Sequence, residues 1–185
     1  MLEEIHNDCE VNMQESISHM KNEFKSLRTG KVQVSILENI KVDYYGTPTP
    51  IAQVATILAA DATTITVTPW EKNILSNVEG AISRANIGVN PNNDGDQIKL
   101  FFPAMTQEQR QESVKRMKTM GEHAKVSIRN DRKKANDAIK KAEKDKEITQ
   151  DESKTAQDKI QKLTDKYIAT VDDILKTKEH DIMTV

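Results

Sequence analysis

The chain has 185 residues and a net charge of −2, with 30% charged and 36% hydrophobic residues. This length suits one ordinary domain or two small ones, and no apolar run approaches the ~20 residues that cross a membrane. The single cysteine, Cys9, excludes a disulfide framework and a cysteine-rich zinc site. The acidic first residues are unlike a secretory signal or a transit peptide, so we expect a cytoplasmic protein.

The first 29 residues carry one apolar stripe in steps of three and four residues, which predicts a long amphipathic helix. Arg28, Thr29 and Gly30 are interpreted as its end, with a cation in the last turn and a glycine behind it. The stripe consists of Leu2, Ile5, Cys9, Met13, Ile17, Met20, Phe24 and Leu27.

Residues 31–103 follow a different pattern, with short β-branched segments around one helix. The residues 46–50 break this pattern, and the residues 92–95 are interpreted as a turn. The helix is expected at 71–86, and Trp70 is expected to fill the core of this region. Strands are expected at 42–45, 55–60, 63–68, 87–89 and 97–102. Two capping boxes compete for the start of the helix: Thr68 with Glu71, and Ser76 with Glu79.

Residues 106–147 predict a second long helix that opens with a capping box of Thr106 and Gln109. Its seam positions alternate in steps of three and four, as in a coiled coil. We expect the one charged member, Asp131, to lean towards solvent or to meet a lysine. The seam consists of Val114, Met117, Gly121, Ala124, Ile128, Asp131, Ala135, Ala138 and Ala142.

A third helix is predicted from a capping box of Thr149 and Glu152 to about residue 177 or onward to the end of the chain. Its stripe consists of Ala156, Ile160, Leu163, Tyr167, Val171 and Ile174. Three stripes that cover one another predict a monomeric antiparallel three-helix bundle formed by residues 1–30 and 104–185. Residues 31–103 are then an inserted α/β domain, which makes an α+β fold of two domains. The chain crosses between the two domains twice, near Gly30 and near Pro103, and two crossings so close together permit a hinge.

The second long helix is basic in a protein that is slightly acidic overall. Residues 110–146 hold thirteen basic and six acidic residues. Five of the cations fall along one flank beside the seam at helical spacing, and a row of this kind could track an RNA backbone. They are Arg110, Lys118, Lys125, Arg129 and Arg132. The competing interpretation is a solvated face with pairs at i,i+4, but acids are too few to pair every cation.

Signals for catalysis are weak. Neither a GxxxxGK nor a GxGxxG motif occurs. His19 and Glu23 stand four residues apart, but two ligands are too few for a metal site, and a surface pair is the better interpretation. Cys9 lies on the core stripe, where a buried small hydrophobe is expected rather than a nucleophile. We therefore expect no enzymatic activity, no cofactor and no metal.

Several motifs occur in an informative order and spacing: Arg28-Thr29-Gly30, residues 43–50 (DYYGTPTP), residues 88–91 (GVNP), Arg129-Asn130-Asp131-Arg132, residues 144–148 (KDKEI) and residues 158–165 (DKIQKLTD). With these motifs the chain resembles the bacterial ribosome recycling factor family over its whole length.

This resemblance implies an L-shaped molecule, with a three-helix arm and a β/α/β arm. It also implies a function after termination, when the factor acts with elongation factor G and GTP hydrolysis to separate the ribosomal subunits and release mRNA and tRNA. The family's bundle lies against large-subunit ribosomal RNA, and its arginines carry over to Arg110, Arg129 and Arg132. The hinge carries over to Arg28, Thr29, Gly30, Lys31, Pro103 and Ala104.

Two other hypotheses remain open on the sequence. A coiled-coil chaperone or scaffold with a β insert would share the helical pattern, need no RNA and form oligomers through an exposed seam. A metal-dependent hydrolase would use His19 and Glu23.

Overall fold

A computed structural model describes residues 1–30 and 32–184. The chain divides into two compact units: Met1–Phe24 with Lys115–Glu179, and Lys25–Val114 with the residues from His180 onward. The predicted division into residues 31–103 and the remainder stays a prediction. No described helix is both long and apolar enough to span a bilayer.

The described residues form four α-helices and six strands. The helices are α1 (Leu2–Phe24), α2 (Leu75–Ala85), α3 (Gln107–Lys144) and α4 (Gln150–Met183). The strands are β1 (Lys41–Tyr44), β2 (Thr47–Pro50), β3 (Ala55–Ala59), β4 (Thr64–Pro69), β5 (Asn92–Asn93) and β6 (Ile98–Phe101). The α+β fold class predicted from the sequence is confirmed.

The first unit is a bundle of α1, α3 and α4. The predicted stripe of α1 is buried from Cys9 to Phe24. Both predicted capping boxes are formed. Gln109 Oε1 accepts the Thr106 amide at 2.9 Å, and Glu152 Oε2 accepts the Thr149 amide at 2.7 Å. Each pair thus satisfies amides that the first helical turn leaves unpaired.

Three details of the bundle prediction are wrong. In α3 the seam residue after Ala135 is Ile139, and the predicted Ala138 is exposed. The seam advances here by four residues rather than three, which buries the larger apolar side chain. Helix α1 ends at Phe24 rather than near Thr29. The residues that follow belong to the second unit, where Leu27 is buried and Arg28 donates to the Pro103 carbonyl oxygen. Of the two alternatives predicted for Asp131, exposure to solvent is wrong, because the residue is 8% exposed, whereas Lys134 does interact with its carboxyl.

The second unit contains two antiparallel sheets, β1–β2 and β3–β4–β6–β5. Strand β4 alternates as predicted, with Ile65 and Val67 buried. In the register, Ile65 faces Leu100 of β6, and Val67 faces Ile98. These aliphatic side chains pack with Phe102 and with the buried face of α2 into one core.

Three predictions about the strands and turns of this unit are wrong. The proline-rich residues 47–50 form strand β2, which pairs with β1 alone, so its prolines need no donor on the open edge. The residues 87–89 are not a strand, because Asn86 and Gly88 have φ of 50° and 93°, and the chain turns there. Asn92 and Asn93, predicted as a turn, pair with β6 as strand β5.

Two further predictions fail next to the helix of this unit. α2 follows a short 3-10 turn and starts at Leu75 without a side-chain cap, so neither predicted capping box is used. Trp70 is 64% exposed rather than in the core, and its indole Nε1 donates to Thr56 Oγ1 at 2.8 Å. Phe102, which is fully buried, takes the core position instead.

Candidate nucleic-acid interface

Helix α3 runs without interruption from Gln107 to Lys144 and carries all five predicted phosphate-binding cations. Four of them, Lys118, Lys125, Arg129 and Arg132, belong to the first unit. The fifth, Arg110, belongs to the second unit and is half-buried, and its Nε atom is buried without a hydrogen-bond partner. Its part in the interface stays a prediction.

The two lysines are held by acids of α4. Lys125 Nζ lies 2.5 Å from Asp172 Oδ1 and 3.6 Å from Glu122 Oε1, and its side chain is 14% exposed. The hydrogen bond to Asp172 raises the pKa of Lys125. Lys118 Nζ lies 3.8 Å from Glu179 Oε1. These lysines join α3 to α4, and their charge is partly compensated within the bundle.

The two arginines of the candidate interface that lie in the first unit, Arg129 and Arg132, contact no acid among the described residues. The Nη1 of Arg132 donates to Oε1 of Gln161 on α4 at 3.2 Å. Arg129 is exposed and makes no ion pair or side-chain hydrogen bond within the described part of the chain. Since a neutral amide orients Arg132 without neutralising it, both guanidinium groups keep a full positive charge that faces solvent.

A buried acid lies between these arginines on α3. Asp131 faces α1, where Cys9 Sγ donates to the Asp131 carbonyl oxygen at 3.7 Å. Burial raises the pKa of the Asp131 carboxyl, while Lys134 and Ser16 favour its charged form. Its Oδ2 has no hydrogen-bond partner. Asp131 therefore faces into the bundle and compensates neither arginine by contact.

The structure places Cys9 in the core and His19 beside Glu23. Cys9 is 3% exposed, which confirms the prediction of a buried small hydrophobe. Burial, together with Asp131 and Glu10, raises the pKa of its thiol to about 11. His19 Nε2 and Glu23 Oε1 form the predicted surface pair at 2.6 Å. The described residues contain no group of three or more possible ligands arranged around a metal.

The predicted hinge residues that the structure describes lie in the second unit. The Arg28 guanidinium donates to the Pro103 carbonyl oxygen and lies 5.5 Å from the centre of the Phe102 ring. Burial lowers the pKa of Arg28. Thr29 is buried, whereas Pro103 and Ala104 are exposed, and Lys31 lies outside the described residues.

Glycine is needed at position 30 for a reason other than the predicted helix cap. Its amide donates to the Asp181 carbonyl oxygen at 3.3 Å. A Cβ atom at this position would overlap the Thr184 carbonyl oxygen. Glycine is therefore required by a close approach to the end of α4, which nothing in the neighbouring residues of the chain indicates.

Comparisons with known proteins agree over the whole chain. The family model for ribosome recycling factor matches residues 20–183. Ribosome-recycling factors from Sulfurimonas denitrificans, Sulfurovum sp. and Campylobacter jejuni are 68%, 62% and 58% identical to this chain, over the whole of both chains in each case.

Solved structures show the same relationship. The solution structure of a ribosome recycling factor is 36% identical, covers 100% of this chain and 98% of its own, and has a TM-score of 0.82. A second structure is described as models for the T. thermophilus ribosome recycling factor and the E. coli elongation factor G bound to the E. coli post-termination complex. It is 36% identical, covers both chains fully and has a TM-score of 0.67. From the motifs, the fold and these matches together, the chain belongs to the ribosome recycling factor family.

Proposed function

We propose that this protein binds the large ribosomal subunit through phosphates of ribosomal RNA, which it contacts with the cationic flank of α3. Together with elongation factor G and GTP hydrolysis, it then separates the subunits and releases mRNA and tRNA. It acts as a cytoplasmic monomer and contributes no catalytic step, because GTP hydrolysis belongs to its partner. The observation that carries this proposal is the pair of uncompensated arginines, Arg129 and Arg132, on one uninterrupted helix.

The chemistry of these two side chains supports contact with phosphate. A guanidinium donates from a planar fork that matches two phosphate oxygens, and it stays charged at every physiological pH. Gln161 already holds the Arg132 side chain in place in the free protein. Arg132 therefore loses less conformational entropy when it binds a phosphate. Arg129 and Arg132 are three residues apart on a helix, so they lie on neighbouring turns of the same face.

An affinity measurement with purified large subunits tests this proposal. Arg132→Ala should weaken binding by about 1.5–3 kcal/mol, the range for a hydrogen bond to a charged group. Lys176→Ala removes an exposed cation from α4 of the same bundle, and it should leave affinity nearly unchanged. Circular dichroism checks that both variants are folded. Equal binding by Arg132→Ala and the unmodified protein would contradict the proposed interface.

We infer that the predicted hinge residues allow the α/β region to respond when elongation factor G acts on it. The support is local. Arg28 joins one chain crossing to the carbonyl of Pro103 in the other, and Gly30 packs against the end of α4. These contacts lie at the ends of elements, where a few residues typically form a hinge.

A cross-link across the two crossings separates this hinge role from binding. We would place cysteines at Thr29 and Ala104 and oxidise them. The native Cys9 should not interfere, because it is buried. The oxidised protein should bind large subunits normally but fail to split ribosomes, and reduction should restore splitting. Full splitting activity in the oxidised form would refute the hinge proposal.

A further inference from the structure

The motif at residues 43–50 contains a tight turn that the proposed function does not use. Strands β1 and β2 pair Tyr44 with Thr47, so Tyr45 and Gly46 alone form the turn between them. Both have positive φ, 50° for Tyr45 and 87° for Gly46. In two-residue turns of this kind asparagine, aspartate or glycine is the usual first residue, because a bulky side chain is disfavoured there. The turn thus disfavours tyrosine, and Tyr45 is 67% exposed, so it is not a core residue either.

The Tyr45 ring is held in place although the residue is mostly exposed. Its hydroxyl donates to Glu71 Oε2 at 2.7 Å and accepts from Asn73 Nδ2 at 2.8 Å. The rings of Tyr44 and Tyr45 meet edge to face, with 4.7 Å between their centroids and 71° between their planes. The Tyr44 hydroxyl donates to the other oxygen of the same carboxylate, Glu71 Oε1, at 2.7 Å. A fixed and exposed aromatic ring loses little conformational entropy on binding, which suits it to anchor a partner.

This ring lies beside negative charge. The two tyrosine hydroxyls lower the pKa of Glu71, so its carboxylate stays ionised, and each of its oxygens has a second lone pair to offer. The exposed Asp43 lies in the same hairpin, where its Oδ1 accepts the Gly46 amide at 2.8 Å. Neither acid forms an ion pair within the described part of the chain, and the neighbouring Lys72 pairs with Asp96 at 2.9 Å.

We propose that Tyr45 and Glu71 form a docking site for an arginine side chain of a protein partner. The guanidinium stacks on the Tyr45 ring and donates to the open side of the Glu71 carboxylate. Arginine fits better than lysine, because its planar group can stack on a ring and donate from its edge at the same time. An RNA base can also stack on tyrosine, but the carboxylates of Glu71 and Asp43 repel its phosphates.

The proposal goes beyond subunit binding through α3 and can fail independently of it. All residues of the docking site belong to the second unit, whereas Arg129 and Arg132 belong to the first. Variants of the docking site should therefore bind large subunits as the unmodified protein does.

A titration of the full-length protein with defined peptides tests the proposal. The chain has three tyrosines, so ¹³C-labelled tyrosine gives three sets of ring signals, with Tyr167 of the first unit as the internal reference. Acetyl-Gly-Arg-Gly-amide should shift the ring signals of Tyr45 and Tyr44 and leave Tyr167 unchanged. The same peptide with neutral citrulline in place of arginine should bind at least fivefold more weakly, and the lysine peptide should bind more weakly than the arginine peptide.

Two outcomes of this titration would overturn the proposal. Equal affinity for the arginine and citrulline peptides would show that charge plays no part. Tighter binding of the RNA trinucleotide UUU than of the arginine peptide at Tyr45 would show that the ring is a platform for bases instead.

Single substitutions locate the site, with affinity followed through the Tyr44 signals. Glu71→Gln keeps an acceptor oxygen but removes the charge, and it should weaken the arginine peptide at least fivefold. Tyr45→Asn places a residue that suits the turn and removes the ring, and it should abolish detectable binding. Glu38→Gln removes an exposed acid elsewhere in the second unit and should have no effect. If Tyr45→Asn disturbs the hairpin, Glu71→Gln alone decides the question, and unchanged affinity there would refute the site.

Discussion

The two compact units of this protein are stabilised in different ways. The core of the α/β unit consists of bulky aliphatic side chains that are fully excluded from solvent, among them Ile51, Ile65 and Ile82. The seam of α3 combines large buried side chains such as Met117 and Ile128 with small residues and the buried acid Asp131. The small residues are Gly121, Ala124, Ala135 and Ala142. Small side chains let helices approach closely, so the bundle adds a close fit between helices to its buried apolar area, whereas the α/β core relies mainly on large apolar side chains.

The largest expected loss of stability comes from a substitution in the α/β core. Ile65→Ala removes a fully buried side chain that faces Leu100 across the sheet, and it should cost about 2–5 kcal/mol. Hydrogen exchange should show faster exchange of the amides of β4 and β6, while the amides of the bundle keep their protection. The matched control is Thr66→Ala, the next residue on the opposite face of β4. Equal loss of protection in both units would contradict separate cores.

A smaller effect of opposite sign is expected at the buried acid of the bundle. Asp131→Ala removes an unpartnered buried carboxylate oxygen and introduces the best helix former. It should stabilise the protein by about 1–2 kcal/mol at pH 7, as measured by urea unfolding. Asp137→Ala changes an exposed acid of the same helix and should have little effect.

The pH dependence of this variant has a defined sign. The folded protein raises the pKa of Asp131 above the ordinary value of 3.8, so the charged form is penalised in the fold at neutral pH. This penalty disappears as the pH falls through the raised pKa towards 3.8. The stability gain from Asp131→Ala should therefore be largest at pH 7 and shrink in acid. A gain that grows on acidification would show that the carboxylate is stabilising.

The smallest expected change in stability comes from replacing one glycine in each unit. A Cβ atom at Gly121 of α3 would lie 2.6 Å from both Leu175 methyl carbons, so overpacking of about 1–3 kcal/mol opposes a helix-propensity gain of about 1 kcal/mol. Gly121→Ala should thus cost up to about 2 kcal/mol. Gly80→Ala in α2 meets only the end of Arg84, and it should stabilise by about 0.5–1 kcal/mol. Stabilisation by both substitutions would contradict the close fit of the bundle.

Periodicity and capping chemistry were sufficient to predict the helices of the bundle. The stripe from Cys9 to Phe24 and the capping boxes at Thr106 and Thr149 depend on residues within one or two turns, so they can be recognised locally. Local spacing did not decide whether Ala138 or Ile139 occupies the seam of α3, since a seam can advance by three or four residues.

Contacts between distant segments could not be predicted from the sequence. The pairs of Lys118 with Glu179 and of Lys125 with Asp172 depend on the register between α3 and α4, which local spacing does not specify. The steric need for Gly30 depends on Thr184, more than 150 residues away. The sequence therefore predicted one row of equivalent cations, while the structure separates paired lysines from unpaired arginines.

The salt dependence of binding to purified large subunits tests this separation most directly. Arg129→Ala with Arg132→Ala should flatten the slope of log affinity against log salt concentration by about two, or about one for each phosphate that is no longer neutralised. Lys118→Ala with Lys125→Ala should change the slope by less than about one, because those cations are already paired within the bundle. A lysine variant that flattens the slope as much as the arginine variant would contradict the account.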